Sequence, residues 1–174
     1  MHKTILAKAQ EEFINEFINH CTHALTLQTN LKTYNVGNQT MRQNISLATE
    51  AISRFIPKLN RLLTGNGYRR KQEYLPVIVT GFEGTLNTYD RNRTLHFHLA
   101  IGNFDSSRLD VDFLEKALEY WQGTGIGTDD IKLYPLLLGR EQGWGRYINK
   151  EAYKGNDMCI DFSNTQIPKH LLVD

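Results

Sequence analysis

Leu95-His96-Phe97-His98-Leu99-Ala100-Ile101 is the stretch on which the reading of this 174-residue chain turns. Its apolar and aromatic content predicts a strand, with Thr94 and Gly102 as its ends. Alternate side chains of a strand share a face, so His96 and His98 point one way and Phe97 the other. Two neutral imidazoles on one face make a half-site for a divalent metal. Two polar positions on the exposed side of a half-buried strand would leave the same letters, so the pair needs a third partner to carry meaning.

The preceding segment, Pro76 to Gly84 (PVIVTGFEG), is a strand by its β-branched content, and Tyr89-Asp90-Arg91-Asn92 is turn-like, so the two strands form a hairpin. With Arg91-Asn92 as a two-residue turn, His96 faces Asn87, His98 faces Thr85 and Ala100 faces Glu83. Facing residues share a side of the sheet, so Glu83 joins the two histidines. A slip of one residue would instead bring Asp90 round. Two imidazoles and a carboxylate suit Mg²⁺ or Mn²⁺, with water or phosphate completing the shell. The plain alternative is a Glu83 solvated on an open sheet face.

Further out, residues 3 to 20 carry apolar side chains at helical spacing, and Ala24 to Thr29 reads as a short strand closed by Asn30. Thr33 to Gln39 is a loop. A helix follows on Ile45, Ala48, Ile52, Phe55, Leu59 and Leu62, with Pro57 expected to kink or end it. Another helix has Val111, Leu114, Leu118 and Trp121 as its core side and Gly123 as its stop. Ile131 to Leu138 is a strand, Trp144 to about Tyr153 a helix ended by Gly155, and Met158 to Phe162 a last strand. The βαββαβ portion predicts an α+β, ferredoxin-like split βαβ fold: a central antiparallel sheet with helices on one face, plus an N-terminal helix. The whole chain, 1–174, reads as one domain with 1–22 as a helical extension.

The apolar fraction of 40%, the charged fraction of 22% and the net charge of +1 are those of an ordinary globular chain. Positive charge is gathered locally instead, at Arg69-Arg70-Lys71, at Arg91 with Arg93, and at Arg146, Lys150 and Lys154. Cys21 and Cys159 form no CxxC pair, which fits a reducing cytoplasm. Met1 to Leu6 leads into an acidic amphipathic stretch rather than a signal peptide, and no apolar run suits a membrane span. Gly123-Thr124-Gly125-Ile126-Gly127 follows a helix, so it is neither a dinucleotide fingerprint nor a phosphate loop, and there is no Walker motif.

Tyr147 and Lys150 lie three apart, on one side of a helix. A phenol is a weak nucleophile at neutral pH, but a lysine and a metal that polarises a phosphodiester would make it competent. Attack would release a 3′-hydroxyl and leave a 5′-phosphotyrosine. Gly143 and Gly145 would let a nucleic-acid backbone approach. Tyr153, six residues on, is rotated away from Tyr147 and is expected to pack or to touch DNA. A tyrosine and a lysine one turn apart are also commonplace; what marks these two is their place after the histidine pair, one helix and one strand on.

In that order the motifs resemble those of the HUH endonucleases, in particular the single-tyrosine rolling-circle replication initiators, with a general likeness to the phage and prophage types. Ala24 to Asn30 is similar to their first motif, His96-Phe97-His98 to the second, and Tyr147-Ile148-Asn149-Lys150-Glu151 to the third. The resemblance spans roughly residues 24 to 162. It implies Mg²⁺ or Mn²⁺ on His96 and His98 with an acidic third ligand, for which Glu83 is the choice and Asp90 the rival. It implies Tyr147 as nucleophile and Lys150 as its supporting cation. The expected activity is site-specific nicking and joining of single-stranded DNA at an origin or hairpin. Tyr68, Arg69, Arg70, Trp144 and Arg146 are candidate DNA contacts, a host helicase or polymerase is a candidate partner, and the protein is expected to be a cytoplasmic monomer or weak oligomer. A relaxase or single-strand transposase would share the site, although a relaxase places its tyrosine early, where only Tyr34 stands. A non-catalytic single-strand binder would need aromatics such as Phe97 on the open face.

Overall fold

The computed structural model describes residues 2–86, 90–136, 141–156 and 159–172. Four helices and four strands follow one another as α1 (His2–Ile18), β1 (Cys21–Lys32), α2 (Asn38–Thr64), β2 (Val77–Glu83), β3 (Thr94–Gly102), α3 (Phe113–Gln122), β4 (Gly127–Pro135) and α4 (Glu141–Ile148). The strands form one sheet in the order β2-β3-β1-β4, antiparallel throughout. This is the predicted split βαβ arrangement.

Alternation along the strands divides the residues between two faces. Leu25, Leu27, Ile78, Phe82, Leu95, Phe97, Leu99 and Ile101 meet α2 and α3 in the main core. Trp121 of α3 is fully buried there; it stands edge-on to Phe55 at 5.5 Å and to Phe97 at 6.0 Å, and donates its indole N–H to the Gln28 carbonyl at 2.8 Å. The apolar face of α2 runs unbroken from Ala48 through Ile52 and Phe55 to Leu63, and it carries the helix past Pro57, where the sequence predicts a kink or an end. Burial of that face outweighs the one backbone bond proline forfeits. In α3 the core side is Phe113, Ala117 and Trp121 rather than Val111 and Leu114: Val111 precedes the helix and is 96% exposed, and Leu114 faces outward.

The second face is not open. Val77, Val79 and Ala100 are covered by Ile14, Phe17 and Ile18 of α1, Ile148 of α4, and Ile160. The segment after residue 158 does not form the expected fifth strand but straps the outer edge of β2. Phe82 N–H donates to Cys159 O at 2.7 Å, Asp161 N–H to Thr80 O at 2.9 Å, and Ile78 and Gln166 exchange both backbone bonds. An edge that would otherwise offer unpaired N–H and C=O groups is thereby closed. Cys21 and Cys159 are both buried, and burial pushes the Cys21 thiol pKa up to about 12. Among the described residues no helix is long and apolar enough to cross a membrane.

The β2–β3 register departs from the two-residue turn. Glu83 lies opposite His96 and Gly81 opposite His98, four residues from the pairing in which Glu83 meets Ala100. The strands are joined by a longer link over 84–93, which carries Asp90 away from the sheet; Asn87, opposite His96 in the sequence reading, is outside the described residues. A four-residue displacement is even, so Glu83 keeps its face. Phe97→Ala removes the aromatic backing of the histidine strand and is expected to cost about 3–5 kcal/mol, read from urea unfolding monitored by circular dichroism.

Candidate metal centre and its tyrosine

Glu83, at the end of β2, and His96 and His98, on β3, place one carboxylate oxygen and two imidazole nitrogens within 4.8 Å of one another. Glu83 Oε2 lies 3.0 Å from His98 Nε2 and 3.3 Å from His96 Nε2. Each ring is held from its other nitrogen. His96 Nδ1 lies 3.2 Å from the Thr94 carbonyl, which it can only approach as a donor, and His98 Nδ1 pairs with the Thr26 hydroxyl at 3.1 Å. Both Nε2 atoms therefore face the carboxylate, and partners of this kind fix ring orientation in metal sites. This buried group can hold a metal ion.

Burial favours the neutral form of Glu83, but hydrogen bonds from His96, His98 and Lys150 outweigh it and hold the carboxyl well below the usual carboxylate range. Burial also lowers the His98 pKa, against the pull of Glu83. Near neutrality the site thus presents a carboxylate and an uncharged His98, which is the state a cation requires. Glu83 is 6% exposed, against the alternative of a solvated carboxylate on an open face. Asp90 is exposed and accepts from the Asn92 backbone N–H at 2.9 Å, so the rival ligand lies off the site.

Tyr147 and Lys150 come to the same place. Lys150 Nζ is 2.7 Å from Glu83 Oε2 and 4.0 Å from the centroid of the Tyr147 ring, which meets the His98 ring edge-on at 5.2 Å. Helix α4 ends at Ile148, and Lys150 stays on the phenol side through a turn in which its N–H donates to Tyr147 O at 3.3 Å. Two close approaches seat this helix. A Cβ on Gly81 would stand 3.0 Å from the Ile148 Cβ, so glycine lets α4 settle on the sheet beside His98. Gly145 lies within α4, not before it, and a Cβ there would stand 2.8 Å from Asn15 Oδ1, so it serves packing on α1 rather than a bare loop for nucleic acid. Asn149, fully buried, donates its amide to the Ala7 carbonyl at 2.7 Å. Tyr147 remains 47% exposed.

The other candidates scatter. Tyr153 lies in a 3₁₀ turn, Ala152–Lys154, beyond the end of α4, so the rotation along one continuous helix does not apply; its hydroxyl binds Glu11 of α1, which raises its pKa. Trp144 is half-buried against the α1 cluster, and Arg146 lines a cleft with Lys8, Glu11, Glu12 and Asn15. Arg69 and Arg70 lie between α2 and β2, near the Gly102 end of β3, which at strand rise is about 20 Å from His96. The sequence reading gives Arg93 only as part of a basic cluster and Thr26 and Glu151 only as letters of the first and third motifs, with no partner for any of them. Arg93 reaches Glu83 Oε1 at 3.4 Å and pairs with Glu151. Only the alternation of β1 marks Thr26, and its register against β3 cannot be read from local sequence.

No family model matches the chain, and no curated protein or solved structure matches it either.

Mn²⁺ titration by calorimetry is expected to show one site, which Thr26→Val weakens about 10-fold and His98→Ala weakens further. Affinity is expected to fall as the pH drops below the ordinary imidazole value, because protons then compete for His98, whose pKa burial holds under that value, while Glu83 stays ionised.

Proposed function

We propose that this protein is a metal-dependent single-stranded DNA nickase in which Tyr147 is the nucleophile. One observation carries the reading: an exposed phenol, a lysine and a buried two-histidine, one-glutamate donor set meet at a single point, although they come from three separate stretches of the chain. A structural ion pair needs no phenol beside it.

A divalent ion held by Glu83, His96 and His98, Mg²⁺ or Mn²⁺ by the mix of nitrogen and oxygen donors, would polarise the scissile phosphate. Tyr147 Oη attacks the phosphorus, the P–O3′ bond breaks, and the leaving 3′-oxygen takes up a proton as the phenol releases one. Lys150, between the phenol and the carboxylate, meets the negative charge that grows on the phosphoryl oxygens. The product is a 5′-phosphotyrosine whose bond energy is kept for rejoining, the chemistry expected of a replication initiator, a relaxase or a single-strand transposase. The rival reading, a sheet that stacks bases, is weakened at its premise, since Phe97 is fully buried against α3.

Incubation with Mn²⁺ and a labelled pool of single-stranded oligonucleotides is expected to give a covalent adduct that survives SDS. Tyr147→Phe and EDTA should each abolish it, and Lys150→Ala should slow its formation by about 100-fold or more, the scale of one lost charge-stabilising donor. An adduct lost with Tyr153→Phe instead of Tyr147→Phe would transfer the nucleophile to Tyr153, in the turn beyond α4.

A further inference from the structure

The residue after Lys150 is a glutamate buried as deeply as the donor set, at 2% exposure, and its side-chain hydrogen bonds among the described residues go to neither the phenol nor the histidines. A lone buried carboxylate is costly unless donors surround it. Glu151 has four. Its oxygens accept from the Gly84 backbone N–H at 3.3 and 3.2 Å, from the Thr85 hydroxyl at 3.4 Å, from the Asn156 amide at 3.1 Å, and from the Arg93 guanidinium. Those donors lie on both sides of the site. Gly84 directly follows Glu83, Arg93 directly precedes the histidine strand, and Asn156 closes the turn after the tyrosine helix. Arg93 carries the link to Glu83 itself.

Gly84 adds a steric argument. Its φ is +102°, and a Cβ there would stand 2.5 Å from the Thr94 carbonyl oxygen. That carbonyl also orients His96. Only glycine turns its N–H toward Glu151 while leaving Thr94 O in place.

The geometry points to Glu151 as a positioning residue: with Arg93 as its counter-cation, it fixes the Tyr147–Lys150 segment over the Glu83–His96–His98 group. The inference rests on the nickase reading for its purpose, but its content is a distance, and a distance can be measured without turnover. Fluorotyrosine placed at position 147 reports its separation from bound Mn²⁺ through ¹⁹F relaxation. In the wild-type protein Mn²⁺ is expected to speed that relaxation strongly. In Glu151→Gln, which keeps the shape and loses the charge, the enhancement is expected to fall at least tenfold while Mn²⁺ affinity stays within about threefold. The rate of adduct formation should fall with it, and strand affinity should not. Arg93→Gln is expected to lower the enhancement as far, with some loss of Mn²⁺ affinity because it also gives up its contact with Glu83, and the enhancement in the double variant at saturating Mn²⁺ should be no lower than in either single one, since both remove one coupled pair. Should Glu151→Gln fail to fold, Arg93→Gln decides alone, because that side chain reaches the surface. Unchanged relaxation in the folded variant, or additive losses in the double variant, would overturn the assignment. A wild-type protein that shows the relaxation effect but forms no adduct would overturn the nickase reading and leave the positioning role standing.

Discussion

One buried carboxylate organises the half of this molecule that holds the candidate metal centre. Glu83 sits where β2 ends, largely out of water, and must be met by positive or hydrogen-donating partners or take up a proton. It is met by two imidazoles from the paired strand and by Lys150 from just beyond α4. Each partner is then held by something else: His96 by Thr94, His98 by Thr26, Lys150 by its place against Tyr147. The site is therefore less a set of ligands than a demand for charge balance at one point, answered by whatever the fold brings there.

The fold answers it by using both faces of the sheet. A ferredoxin-like sheet with helices on one side leaves the other side free, and here α1, α4 and the strap over 159–166 close part of it. The covered part gives the donor set its low polarity. The uncovered part leaves Tyr147 accessible. Gly81 is the pivot of that division, since any side chain there would lift Ile148 and, with it, the phenol.

The topology and the histidine face were legible because they rest on period-two alternation, which a sequence displays directly. Glu83 was legible for a subtler reason. A two-residue turn is shorter than the link over 84–93, yet the resulting displacement is even, and an even displacement cannot move a residue to the other face. Asp90 was separable from it only once the length of the link was known. Val111 stands before α3, and Leu114 faces outward because Phe113, Ala117 and Trp121, at four-residue spacing, make the buried stripe. The last helix was read as too long because its helical spacing continues into a 3₁₀ turn. Thr26, Arg93 and Glu151 were illegible in principle: each acts through a partner more than 50 residues away.

Asn149 bonding to Ala7 joins points separated by nearly the length of the chain. Contacts of that span close late in folding, after the loop entropy between them has been met. During synthesis the carboxylate and both histidines are made, and can pair, well before the phenol exists; α1 waits on the ribosome-distal side for a helix yet to emerge. The Tyr147 phenol thus comes to rest over the Glu83–His96–His98 group only once the contact between α1 and the segment after α4 has closed.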